Sequence, residues 1–564
     1  MMMMPVSSAF RMHLTAISKS TPTRIVKAGI RAQSSATYIP LKRGLPGNQR
    51  PADRLTVFTQ PRATQRSVLN QIRNSLSVQP SRPGEPARAA VVLASPRHAS
   101  WLTERDFTSH LVHALHGTFE EGVRFHLLAA VVDGLCARPP SRELQEGLSI
   151  HVGRLDNLLP GLWDSTSPED AAQSPSQSVA DPDLPSSLSV LLPRKMIGKD
   201  GRVTVTLPLA NTLFSNGRRS TLLASEWRLA TVFSKTRVEM VRSAEKHNQV
   251  IDIPHSITFD QVDMKAPLVP ITHPRRILEG LGNIIAKVEV DGEPYPASME
   301  LQTNIPRLIE ARRALPHSRP VSGAIGVWAM IYPKHMFLPR EDMAKFYYGI
   351  KGRYLGTALG KLAFDMSTDL ERLAWERETA LRNAFYEGAR LHKILGGGGE
   401  WGAKASLLSL DPKISHTPQS EADELDKFMR SFNGERDARD AIAQPGDFVQ
   451  FFVERDAKQM PLDKHHNLKT VSEQPPVRFG CGDMHMIDID ESNRILTGQR
   501  RDRAYPEYLC LGHFGAHSAE GIYVSSGELG PNTKLDVPGA TVTMTTVKGS
   551  EKSYRPYVRV SLQG

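Results

Sequence analysis

The chain has 564 residues, 40% of them hydrophobic, enough for two or three domains with substantial cores. Its longest strongly apolar stretch, around 324–332, is far too short to cross a bilayer, and three cysteines (Cys136, Cys481, Cys510) are too few for a disulfide framework; a helical membrane protein and a disulfide-stapled secreted domain are both excluded. The formal net charge of +10 sits at one end: residues 1–84 hold thirteen Lys/Arg against Asp53 alone, a balance of +12, which leaves residues 85–564 at −2 and removes overall charge as an argument about the body's partners.

Residues 1–34 lack acids and are rich in Ser, Thr, Ala and Arg. Val6, Phe10, Leu14 and Ile17 share one helical face, and Arg31-Ala32-Gln33-Ser34 suits processing. This pattern predicts a mitochondrial presequence, handled by the import machinery and delivering the protein to the matrix; a disordered basic tail is the alternative. Residues 35–84 stay basic and Pro/Arg/Gln-rich, which predicts a flexible arm.

From 85 to 163 the pattern is α/β: a buried-strand run Ala89–Ala94, a helix over Thr108–Leu115, a second apolar run His126–Gly134, and a third strand over Glu146–Gly153. Residues 164–187 are Ser/Pro/Asp/Gln-rich and aperiodic, which predicts a disordered insertion. A mixed α/β region follows over 188–338, with strands at Arg202–Leu207, Ile284–Val290 and Ala324–Tyr332 and turns at Asn216-Gly217 and Asp291-Gly292.

Residues 339–412 read as helical. Gly352, Gly356 and Gly360 recur every fourth residue, and Lys345, Tyr347, Tyr348, Lys351 and Arg353 interleave aromatic and basic groups. Single-strand nucleic-acid surfaces do this, so these five are RNA-contact candidates; an amphipathic helix burying its aromatics is the simpler account of the pattern. Leu370, Ala374, Arg377, Leu381, Ala384, Gly388, Leu391 and Leu395 then form a heptad-like stripe, with a Thr368/Glu371 capping box and Gly396 as the C-terminal stop. The glycines at 396–399 follow this helix, so carbonyls and the negative dipole end would face any anion, which argues against a phosphate loop. Residues 413–440 read as a linker and 441–564 as β-rich, with strands at Phe448–Asp456, Pro476–Asp483, Tyr508–Leu511, Gly521–Val524 and Ala540–Val547. The expected class is α+β: an N-terminal α/β region, central long helices and a β-rich C-terminal region.

One constellation suits a metal, zinc by the chemistry of its donors: Cys481, His485, Cys510, His513 and His517. Its spacings match no familiar finger, so buried cysteines with loop histidines, or a thiol nucleophile with a nearby histidine, remain alternatives. His110, His113 and His116 drift around their helix and read as surface residues. The chain has no Gly-x-Ser-x-Gly elbow, no P-loop and no Cys-x-x-Cys.

Val91-Val92-Leu93-Ala94-Ser95-Pro96 and Leu128-Ala129-Ala130-Val131-Val132-Asp133-Gly134 resemble the N-terminal half of the FIST module (F-box and intracellular signal transduction proteins). Its C-terminal half is similar to Gly446–Asp456, Val477-Arg478-Phe479-Gly480-Cys481-Gly482 and Tyr523-Val524-Ser525-Ser526-Gly527-Glu528. Asn211–Ser220 and Gly396–Asp411 resemble segments of uncharacterised fungal mitochondrial proteins. The FIST resemblance implies a sensory module for small ligands such as amino acids, without demonstrated catalysis. The leading expectation is therefore a non-enzymatic mitochondrial small-ligand-sensing or scaffold protein. An RNA- or ribosome-associated factor and a metal- or thiol-dependent hydrolase are the alternatives.

Overall fold

The computed structural model describes residues 53–60, 63–76, 86–116, 123–136, 144–164, 186–196, 199–232, 235–253, 260–313, 325–336, 384–385, 388–397, 407–416, 442–454, 477–482, 508–525 and 532–546. The class is mixed and mostly β. Among the described residues no helix is long and apolar enough to cross a membrane.

A seven-stranded sheet runs in the order Lys235–Glu245, Leu222–Val232, Arg124–Val131, Arg88–Ala94, Gly147–Arg154, Arg54–Phe58, Tyr508–Leu511. Its central pair, Arg88–Ala94 with Arg124–Val131, is parallel, and the other neighbours are antiparallel. The central strands are apolar on both faces because both are covered. Ala90, Val92 and Ala94 face helices Gln65–Ser75 and Arg105–His116 through Val68, Ile72, Phe107 and Leu111, whereas Ala89, Val91 and Leu93 face a second, larger core.

That larger core is shared with two further sheets. One runs Asn248–Asp252, Ser187–Met196, Lys199–Pro208, Ile522–Ser525, Thr533–Leu535; the other runs Asp260–Lys265, Thr541–Thr546, Val477–Cys481, Phe514–Ser518. Beyond them six antiparallel strands close on themselves: Phe448–Glu454, Arg275–Leu281, Ile284–Val290, Leu408–Leu410, Arg390–Gly397, Val327–Tyr332 and back to Phe448–Glu454. Ile277, Ile285, Ala329, Ile331, Leu410 and Phe451 fill this barrel together with Leu301 and Leu308 of helix Met299–Arg313. The alternate residues Trp328, Met330, Tyr332 and Phe452 point the other way, into the large core.

Four expectations change. The arm expected over 35–84 contains a sheet strand, Arg54–Phe58, and a helix, Gln65–Ser75, opened by a Thr64/Ser67 capping box. Its Pro/Arg/Gln composition masked Leu55, Val57, Val68 and Ile72, all fully or almost fully buried. The helix expected through Leu395 is, over Arg390–Gly397, a strand, and Gly396 pairs with Ser409 instead of capping a helix. Leu391 is buried and Leu395 exposed, with a register shift between Ile394 and Gly396, so the two leucines do not form a common stripe, and Gly388 at φ +111° interrupts helical backbone just before the strand. The β-rich C-terminal region is no separate layer, since its strands complete all the sheets named above and residues 51–564 form one compact unit. Finally, His116 is fully buried, edge-on to Phe125 at 5.4 Å, because six residues beyond His110 the helix has turned towards the sheet. Residues 165–185 of the expected insertion, 417–440 of the expected linker and 339–383 of the helical pattern lie outside the described residues, and Ser187 at the end of the expected insertion already begins a strand.

Candidate functional site

The large-core face of the first sheet is apolar at its centre and polar at one side. Thr56, Ser149 and Cys510 are direct cross-strand partners there, with Arg54 opposite His151 two residues along. The Phe514–Ser518 strand crosses this patch and bonds to it. Thr56 Oγ1 donates to the His513 carbonyl at 3.1 Å and lies 2.8 Å from both His513 Nδ1 and Ser149 Oγ. Thr56 has a single proton and so donates to one of these three partners alone. Ser149 Oγ in turn accepts from the Gly515 N–H at 3.0 Å. His151 donates from Nδ1 to the Asp53 carbonyl at 3.2 Å, and its ring lies 5.5 Å from that of Phe514.

The Val477–Cys481 strand lies parallel to Phe514–Ser518 and brings Arg478 and His517 to the same place, with Gly480 opposite His517. A Cβ at Gly480 would stand 3.0 Å from the His517 ring and 2.4 Å from the Ala540 carbonyl oxygen, so the imidazole fits because residue 480 has no side chain. Burial, reinforced by Arg478 and Arg54, pushes His513 down to about 3, and burial with Arg478 and His513 does the same to His517. His151 is pushed down to about 4 by burial and Arg54, against a weaker pull from Asp53. All three imidazoles are neutral at physiological pH. Both ring nitrogens of His517, His151 Nε2, Arg54 Nε and Arg478 Nε are buried without a hydrogen-bond partner in the protein. Cys136 Sγ donates to the Arg478 carbonyl at 3.5 Å, and burial pushes this thiol up to about 12.

Of the residues expected to bind metal, His513 and His517 are brought into one neighbourhood. Cys481 pairs across from Ser518, and Cys510 across from Thr56; both are buried. His485 lies outside the described residues, as do Lys345, Tyr347, Tyr348, Lys351 and Arg353. Among the described residues no group of three or more His, Cys, Asp or Glu is arranged to hold a metal. The site gains Arg54, Thr56, Ser149, His151 and Arg478, which sequence reasoning missed. The available signal was a polar residue at every second position of buried strands, in Arg54-Leu55-Thr56-Val57 and Ser149-Ile150-His151.

Two other polar clusters are structural in character. At the end of the Arg88–Ala94 strand, Ser95 Oγ donates to Glu146, accepts from the Gly147 N–H at 3.0 Å and lies 3.0 Å from His98 Nδ1. Ser95 is fully buried, so this trio clamps two strand ends instead of presenting a nucleophile. Ser95→Ala leaves the Gly147 N–H without that acceptor, and thermal unfolding should show a loss of about 1–3 kcal/mol. Between barrel and sheet, Lys534 Nζ lies 3.1 Å from Asp411 and 3.7 Å from Asp536, and Asp536 accepts from Trp328 Nε1 at 2.7 Å.

No family model, no curated protein and no solved structure matches this chain.

Proposed function

We propose that the chain is a non-enzymatic small-ligand-binding protein, a sensor or scaffold, with its ligand held where the Arg54–Phe58, Gly147–Arg154, Val477–Cys481 and Phe514–Ser518 strands meet. The observation that carries this reading is the concentration of partnerless buried nitrogens on His151, His517, Arg54 and Arg478. Buried polar groups in proteins are bonded with few exceptions, and a cluster of exceptions in one place is the property of a binding site. Catalysis is the poorer reading. A general base works best with a pKa near the operating pH, and these imidazoles are held near 3 and 4. The basic, acid-free first 34 residues support a mitochondrial matrix setting.

Native mass spectrometry of the full chain purified from its own cells tests the reading. A stoichiometric small molecule, released on denaturation, is expected. Protein that carries none, and that no compound of a broad metabolite panel stabilises against heat, would remove it. Co-purifying RNA displaced by salt would favour the RNA-associated alternative instead.

A further inference from the structure

We infer that the ligand at this junction is a small anion, a carboxylate or a phosphate, held by the guanidinium groups of Arg54 and Arg478 with His517 as a neutral hydrogen-bonding partner. This inference rests on the ligand-binding reading above and narrows it to one chemical class.

The charge inventory carries it. Guanidinium groups keep their charge under any condition the fold survives, so unlike a lysine they cannot answer burial by losing a proton. Arg54 exposes only 12% of its side chain, and Asp53, the acid nearest to it, stands 4.0 Å from Nε with its own side chain 60% exposed. Asp133, the acid beside the far end of the Phe514–Ser518 strand, is already committed to the Ala519 N–H at 2.7 Å and to Ser518 Oγ at 3.3 Å. The ionic groups that bear on His513 are Arg478 and Arg54, and on His517 Arg478, all positive. Among the described residues, two fixed cations therefore bear on neutral imidazoles, with Asp53, largely exposed at the edge, as the acid at ion-pair distance from Arg54. A half-buried guanidinium whose Nε is closed off without a hydrogen bond gains from a further partner, and here the partner of the right sign is an anion.

The same field argues against zinc. A divalent cation at His513 and His517 would sit beside two guanidinium groups, and His513 Nδ1 is already paired with Thr56 Oγ1. The polar groups also fit a small guest and not a polymer. His151 and His517 are each 1% exposed, beneath crossing strands that a nucleic-acid backbone cannot enter. His517 has both ring nitrogens partnerless, so in either neutral tautomer it can donate one N–H to an anion oxygen.

The test titrates the full chain, by calorimetry and by thermal unfolding, with sodium phosphate, sodium succinate, succinamide and zinc chloride. Phosphate or succinate is expected to bind one per chain and raise Tm, succinamide and zinc not; which of the two anions binds identifies the source of the negative charge. Arg54→Met and Arg478→Met should each weaken that binding about 10- to 100-fold, the range for a charged hydrogen bond. Each variant should keep or raise the Tm of the ligand-free protein, because methionine replaces a half-buried charge with apolar bulk. A merely structural arginine would instead lower that Tm and leave the anion-induced rise intact, which overturns the inference. Equal binding of succinamide, or stoichiometric zinc, overturns it as well. If the native protein carries a neutral molecule at this junction, the anion class falls and the ligand-binding reading stands; if nothing is carried and nothing titrates, both fall.

Discussion

Lys534→Met is expected to lower the free energy of unfolding by about 3–5 kcal/mol, the cost of stripping a buried ion pair of one partner. Lys534 is the cation that Asp411 and Asp536 share, and the three side chains expose only 14%, 13% and 9% of their surface. Burial raises the Asp536 carboxyl above its ordinary value, and Lys534 is the main influence holding it down. Without the lysine, two carboxylates are left beside Trp328 with Lys393 as the remaining nearby cation. The pH dependence then has a definite sign. An acid whose folded pKa lies above its unfolded one destabilises the fold when ionised, so the penalty is full at neutral pH and fades as pH falls through the raised folded value. The gap between variant and wild type should therefore narrow in urea unfolding as pH is lowered from 7 through that raised value. Lys534 itself behaves oppositely: burial lowers its pKa, but Asp536, Tyr523 and Asp411 together outweigh burial and raise it. Its stabilisation is present below its unfolded value and is lost as pH rises through the higher folded one. A loss that stays flat as pH is lowered would show that packing, and not charge, holds the barrel against the neighbouring sheet.

Much of the strand content was legible because it rests on local pattern. Ala89–Ala94, His126–Gly134, Ile284–Val290 and Phe448–Asp456 are apolar runs bounded by turn residues, and each overlaps a strand, Arg88–Ala94, Arg124–Val131, Ile284–Val290 and Phe448–Glu454. What local pattern cannot carry is which strands meet. Tyr508–Leu511 lies beside Arg54–Phe58 across more than 450 positions of sequence, so nothing near either segment announces the pairing. The site inherits that difficulty. Its arginines stand at positions 54 and 478, one inside a stretch whose composition suggested an arm, the other inside a motif examined for its cysteine. The histidines His513 and His517 were legible as chemistry-bearing residues, but they suggested metal because the positive charges beside them arrive from elsewhere in the chain. Spacing along the sequence recovered donors, and only the crossing of strands supplied the field that decides what those donors can hold.

Gly515→Ala should cost about 3 kcal/mol, at the upper end for overpacking a closed core, whereas Gly396→Ala should change stability by less than about 0.5 kcal/mol. A methyl at 515 would stand 1.9 Å from the Arg478 carbonyl oxygen and 2.9 Å from its carbon, and backbone cannot swing aside as a side chain can. The two parallel strands would have to separate. Because the Gly515 N–H bonds Ser149, Ser149 bonds Thr56 and Thr56 bonds His513, that separation reaches the His513 ring through three hydrogen bonds. A methyl at 396 meets nothing within 4 Å, although this is the first of the four consecutive glycines that dominate the sequence to the eye. Chemical denaturation of both variants, with anion titration of whichever folds, separates the two roles. If Gly515→Ala unfolds like the wild type and binds anion unchanged, the strands are not held in the register that brings Arg478 to His513, and the junction is not the site. If it is destabilised and its anion affinity falls while Gly396→Ala matches the wild type in both, the close approach of those two backbones is what brings the half-buried cations together.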